Sequence, residues 1–260
     1  MSKQQASSMM KNRPSRLSME GYIYNADKVL DVALHPQTHK AETQKLLQEC
    51  VGVAILSCVH AGALITAHYG TGVLMAKKKT TSDKIEWSAP SAVMTVGYSM
   101  GALAGGKVDS VLIFIMNDET LRDFMTKPQT RMGLDVALAA GRRGGTANVG
   151  LEAESKGTVS VALTNGAFVG ASIQIGTLEP QHVQNERFYS ISKLTAKTIL
   201  MSSNIAEVPP ESQVPDLHRK LNLLADGLTW VPSPEDVDRS SHFLKQAEDA
   251  SRHFVQVDLQ

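Results

Sequence analysis

Tyr22, Ala26, Val29, Leu30 and Ala33 recur every three or four positions, the period that lines apolar residues along one side of a helix. Ser18 stands where an N-cap oxygen belongs, and Pro36 follows as a stop, so the pattern predicts a helix over 18–34. A shorter helix is expected over 41–50, with Leu46 and Leu47 on its apolar side. From Val51 the rhythm changes. VGVAILSCV, GALITAHYG and TGVLMAKKK are aliphatic or β-branched runs separated by glycine, and they read as successive strands. SAVMTVGYS, KVDSVLIFIMN, GLDVALAAG, TANVGLEAES, GTVSVALTN and AFVGASIQIG continue the series. Together they give about nine strands at roughly ten-residue spacing, the pattern of a meander or barrel. NDETLRDFM interrupts them as one short helix with Asn117 or Asp118 as its cap. Helical periods resume after Tyr189, over roughly 192–201, 211–225 and 234–254. The expected class is α+β: a β-rich, barrel-like core of glycine-interrupted strands with helices packed at the N- and C-terminal ends. The sequence divides into a flexible basic arm (1–17), one domain (18–225) and an acidic helical extension (226–260), with no boundary between Val51 and Ile175.

Composition narrows the function classes. With 260 residues, 42% hydrophobic and 20% charged, the chain has the make-up of a folded protein with a core. No run of about 18 apolar residues is present, and the first 16 residues lack the apolar stretch of a secretory signal. Cys50 and Cys58 fit neither a disulfide framework nor a metal spacing, and they read as two reduced buried thiols. The 26 basic side chains balance 26 acidic ones, so no nucleic-acid partner is expected. That balance hides a gradient. Residues 1–90 hold 11 basic and 7 acidic residues, 91–203 hold 10 and 9, and 204–260 hold 5 and 10. A basic head and an acidic tail bear on partners and not on fold.

Three patterns resemble catalytic or metal sites. Gly97-Tyr98-Ser99-Met100-Gly101 matches the G-x-S-x-G nucleophile elbow, but the segment after it is glycine-rich and leads to a strand instead of a helix. Asp118 or Asp135 with His182 would complete a Ser-Asp-His order that chance also supplies. Gly101 to Lys107 spells most of a P-loop, yet Val108 stands where Ser or Thr must hold magnesium. His60 and His68 lie eight apart without a third ligand near in sequence, so neither a metal nor any other cofactor is expected.

A longer ordered series is more specific. VGVAILSCVHAGALITAHYGTGVLMAK, WSAPSAVMTVGYSMGALAGGKVDSVLIFIMND, the segment Gly133–Gly141, GAFVGASIQIG and Asn185 with Phe188-Tyr189 follow one another in the order of the SYLF domain. The chain thus resembles the SYLF family of Ysc84-like phosphoinositide-binding proteins over about residues 20–225. It departs from the family at Glu49–Ala54, where the usual lysine is missing, and at Tyr69–Gly72, where the usual G-G-S-G turn is replaced. No SH3 or FYVE module is expected: the 35 residues after Ala225 are too few for the first, and two cysteines too few for the zinc sites of the second. The resemblance implies a non-enzymatic module that binds phosphoinositide-containing membranes and serves endocytic or endosomal trafficking and actin regulation. Its place would be cytoplasmic, peripherally associated with endosomal or plasma membrane.

Anionic headgroups call for clustered cations. The arm offers Lys3, Lys11, Arg13 and Arg16 beside Met9 and Met10; an expected hairpin tip offers Lys77, Lys78, Lys79 and Lys84; a turn offers Arg142 and Arg143. The first helix, which contacts membrane in some family members, carries Lys28 among Glu20, Asp27 and Asp31. Two rival readings stand beside this one: a protein-interaction scaffold whose arm or acidic C-terminal helices bind actin or an actin regulator, and an esterase using Ser99.

Overall fold

The structure is a computed structural model that describes residues 14–36, 41–78, 85–139, 157–165, 168–202, 208–209 and 212–230. Helix α1 (Met19–Leu34) starts where the cap pattern puts it: Ser18 is extended and its hydroxyl accepts the Gly21 N–H at 3.3 Å. Helix α2 (Ala41–Glu49) follows, then strand β1 (Gly52–Lys78), the two-residue β2 (Glu86–Trp87) and β3 (Ser91–Ile115). Helix α3 (Asp118–Thr126) is capped by Asn117, whose Oδ1 accepts the Thr120 N–H at 2.8 Å. Strands β4 (Gln129–Ala139), β5 (Thr158–Asn165) and β6 (Phe168–Pro180) complete the sheet, and α4 (His182–Tyr189), α5 (Ala196–Met201) and α6 (Val214–Ala225) close the described chain. This is the expected α+β class. The TANVGLEAES strand and the 234–254 helix lie outside the described residues.

The strands differ from the expectation in number. The three runs that begin at Val51 are one strand of 27 residues, and two later runs are the single 25-residue β3. Their glycines do not end the strands. β1 and β3 form one antiparallel ribbon, with partners from Gly52↔Ile115 to Leu74↔Ser91, and its register slips once, between Ala63 and Ile65. About that point the ribbon doubles back on itself. The Lys77 N–H donates to the Val51 carbonyl at 2.9 Å, and the His60 and His68 rings stack with centroids 5.2 Å apart. Glycine serves here where two backbones approach closely. A Cβ on Gly72 would sit 1.8 Å from the Ile55 carbonyl oxygen, and one on Gly70 would sit 2.5 Å from Cys58 Sγ.

The sheet order is β2–β1–β3–β6–β4, and both β5 and β6 pair with β3: β5 along Val108–Ile115 and β6 along Val93–Gly101. Among the described residues β2 and β4 remain edges, so the core is a folded-over open sheet and the expected barrel-like closure is corrected. Its basal half is buried on both faces. On one side Val53, Ile55, Val73, Met75, Leu112 and Phe114 pack against α1, α2, α4 and α6. On the other, Ala54, Leu56, Leu74, Val93, Ile113 and Ile115 meet Leu121 and Phe124 of α3 and Leu200 of α5. Burial on both faces explains why VAIL and VLIFI are unbroken apolar runs instead of alternating ones.

Ser99 lies inside β3, paired with Thr66, and the strand continues through Lys107. The strand–turn–helix geometry required by a nucleophile elbow or a phosphate loop is absent at this segment. No helix among the described residues is long and apolar enough to cross a membrane.

Candidate functional site

Four of the predicted cations fall within the described residues, and they separate into three environments. Lys77 and Lys78 end β1. The Lys77 ammonium donates to the Gln48 carbonyl at the end of α2 at 2.6 Å and stands 6.0 Å from the centre of the Trp87 ring, a cation–π arrangement. Lys78 pairs with Glu86 across the β1–β2 register. Helix α6 brings His218 to the same rim, its Nε2 3.0 Å from the Ser88 carbonyl, while the next residue, Arg219, stacks on Trp230 at 4.9 Å and pairs with Asp216 at 3.5 Å. Lys3, Lys11, Arg13, Lys79, Lys84, Arg142 and Arg143 lie outside the described residues.

Arg16 sits at the other end of α1, its Nη2 3.5 Å from Ser57 Oγ, and its charge acts on Tyr69. Lys28, expected to face lipid, is an internal group instead. Its side chain is 13% exposed, 2.6 Å from Asp31 and 3.5 Å from Asp27. Burial alone would lower its pKa. The hydrogen bond to Asp31 and the two carboxylate charges outweigh that, and the net shift is upward. Lys220 of α6 reaches the same two carboxylates, at 2.7 Å from Asp27 and in direct contact with Asp31. Two lysines and two aspartates thus balance one another between α1 and α6.

Lys220 was not found by sequence reasoning, although a trace of it is there. It is a lone lysine on the face of α6 that carries Leu217, Leu221 and Leu224, and its partners stand one turn apart on α1. A second buried pair is wholly non-local: His60 Nε2 lies 3.0 Å from Asp109 Oδ2, inside the fold of the ribbon. No group of three or more His, Cys, Asp or Glu side chains is placed to hold a metal ion among the described residues.

The residues that carried the family resemblance turn out to tie the rim to its support. Asn185 Oδ1 accepts the Ala92 N–H at 2.8 Å while its Nδ2 donates to Ser91 Oγ at 3.0 Å, and the Tyr189 hydroxyl donates to the Pro90 carbonyl at 2.7 Å. Ser88 Oγ accepts the Ala76 N–H at 3.0 Å, and Trp87 Nε1 donates to Asn222 of α6 at 3.1 Å. These bonds dock α4 or α6 onto β2, the start of β3 and the turn between them, or close that turn on β1. The arrangement presents cations at a rim, and no nucleophile–base pair stands there among the described residues.

Comparison with known proteins then settles the family. Residues 96–223 match the Ysc84 family, described as Las17-binding protein, actin regulator. The chain carries a Ysc84-family domain. It is 28% identical over 206 residues to Protein YSC84 of Saccharomyces cerevisiae, covering 76% of this chain and 42% of that one. LAS seventeen-binding protein 3 of the same yeast is 26% identical over 196 residues, 73% of this chain and 42% of its own. SH3 domain-containing YSC84-like protein 1 of Homo sapiens is 28% identical over 217 residues, 81% and 60% respectively. The chain therefore spans about half the length of these curated relatives. No solved structure matches it significantly. The Ysc84 match runs from within β3 to within α6, so it takes in the Asn185 and His218 connections.

His218 supplies a pH test of this rim. Burial lowers its pKa below the ordinary 6.5; the Ser88 carbonyl opposes this and the Lys78 charge adds to it. A depressed pKa on a base means that the unfolded chain takes up the proton first, so stability is complete above the unfolded value and falls as the pH drops below about 6.5. The thermal midpoint should decline in that range, at no more than about 1.4 kcal/mol per pH unit for one proton. His218→Gln should flatten this part of the profile, and an unchanged slope would remove His218 from the account.

Proposed function

We propose that this Ysc84 domain binds phosphoinositide-containing membranes in a non-catalytic way, through the rim formed by Lys77, Lys78 and α6, and couples them to actin regulation. One observation carries the reading. The end of β1 carries Lys77 and Lys78 in succession, with His218 beside Lys78, at a turn held from below by the Trp87, Ser88, Asn185 and Tyr189 bonds. Meanwhile Asp27 and Asp31 are neutralised inside the helices by Lys28 and Lys220 and do not offset the rim. Lys3, Lys11, Arg13, Lys79, Lys84, Arg142 and Arg143, which lie outside the described residues, are further candidate lipid-binding cations. The expected setting is the cytoplasmic surface of endosomal or plasma membrane.

Co-sedimentation with vesicles containing phosphatidylinositol phosphates is the direct test. Each cation near an anionic surface is worth about 1 kcal/mol, so Lys77→Ala with Lys78→Ala should weaken binding roughly 30-fold. The loss should shrink in high salt. Equal binding by the double variant, with an unchanged thermal midpoint, would exclude the rim.

The family description favours a second reading, in which the domain docks a protein of the actin machinery and lipid is incidental. Co-sedimentation with filamentous actin, or capture of a Las17-type regulator, in the absence of lipid and unaffected by the Lys77 and Lys78 changes would establish it.

A further inference from the structure

The half of the sheet beyond α1 has its polarity reversed. Antiparallel sheets bury an apolar face and show water a polar one. Here the inner face of the folded ribbon buries His60, His68, Thr95 and Asp109. The outer face exposes Ile65 (59%), Val96 (40%) and Tyr98 (67%).

Cross-strand partners share a face, so the register shows how far this outer surface extends. On β1 and β3 the outward pairs are Tyr69 with Val96 and Ala67 with Tyr98, and Ile65 follows them on β1. These five positions hold no charged residue. Arg16 stands at the margin, beside Ser57 and Tyr69, with the exposed Leu17 next to it.

Area decides between the possible occupants. Two strands about 4.8 Å apart and three rows about 6.7 Å apart make a patch of roughly 200 Å². A stable dimer needs about 800 Å² from each partner. A bilayer has no such threshold, because every apolar side chain that leaves water contributes in proportion to its area. An uncharged face with a tyrosine in its middle row and an arginine at its border has the chemistry of a surface that meets the headgroup–acyl boundary.

We propose that this face lies in the membrane interface, with Ile65 and Tyr98 entering the acyl region. The inference rests on the membrane reading above, and one experiment separates the two. The full chain with Tyr98→Cys carries an environment-sensitive fluorophore at that position, Cys50 and Cys58 being buried in the fold. It is mixed with phosphatidylcholine vesicles with and without phosphatidylinositol phosphates. The expected result is a blue shift and a several-fold brightening on the phosphoinositide vesicles, quenched by acyl-chain spin labels. Ile65→Asp and Tyr98→Asp should each reduce co-sedimentation by roughly tenfold or more, in low and high salt alike, with the thermal midpoint unchanged.

If the chain sediments while the fluorophore stays in water, insertion is refuted and the cationic rim alone survives. If the chain sediments with no vesicle, both readings fall. If a dimer in solution is dispersed by Tyr98→Asp, the face belongs to a second copy and the proposal is overturned. Should the aspartate variants prove unfolded, the fluorophore result decides alone.

Discussion

Lys220→Met is expected to cost about 3–5 kcal/mol of folding stability, the usual loss when one member of a buried ion pair is removed. For a chain of this size that corresponds to a fall of roughly 10 °C in thermal midpoint. The reason lies in the four-charge cluster between α1 and α6. The Lys220 ammonium, 7% exposed, meets Asp27 at 2.7 Å and touches Asp31, while Lys28 meets the same carboxylates from the other side. With all four present the cluster is neutral. Methionine keeps the apolar stem of Lys220 among Leu217, Leu221 and Leu224 but leaves two carboxylates in low dielectric with one ammonium between them. The double variant Lys220→Met with Asp27→Asn restores neutrality and should recover part of the loss, so the two changes should not add. Denaturant unfolding of the single and double variants measures this. A loss below about 1 kcal/mol for Lys220→Met would mean that water screens the cluster as it does a surface pair.

That cluster also marks the limit of what the sequence discloses. The start of α1 was legible because a cap is a local event: Ser18 and the Gly21 N–H are three residues apart. The same holds for Asn117 at α3. Lys28 was assigned to lipid because the first helix contacts membrane in some family members, and nothing near it in sequence announces that Lys220 shares its two carboxylates. Helix α4 was missed for a related reason. Its apolar periodicity is weak, and it is held by Asn185 and Tyr189 bonding to Pro90, Ser91 and Ala92, which are remote in sequence. The candidate rim was half legible. Lys77 and Lys78 follow from the lysine run, but His218 joins them only because α6 packs across the β2–β3 turn. The strand count failed most plainly, because glycine in a sequence looks the same whether it turns a chain or lets two chains touch.

Gly72→Ala tests that last distinction and should rank with the loss of Lys220, at about 4 kcal/mol or more. The added methyl would lie 1.8 Å from the Ile55 oxygen, 2.8 Å from the Ile55 carbonyl carbon and 2.9 Å from Leu56 Cα. All three are backbone atoms of the same strand's opening half, so no rotamer change relieves them and the two halves of β1 must move apart. Separation would strain the Lys77–Val51 hydrogen bond and the His60–His68 stack, which depend on the same closeness. Gly52→Ala is the matched control. Its methyl would meet Leu121 Cδ1 at 3.0 Å and the Met75 carbonyl oxygen at 3.1 Å, contacts that small shifts can relieve, and should cost about 1 kcal/mol. Equal denaturation midpoints for the two variants would show that Gly72 does not lie at a backbone crossing. A collapse confined to Gly72→Ala would establish that close approach, more than turn formation, explains the glycines within β1.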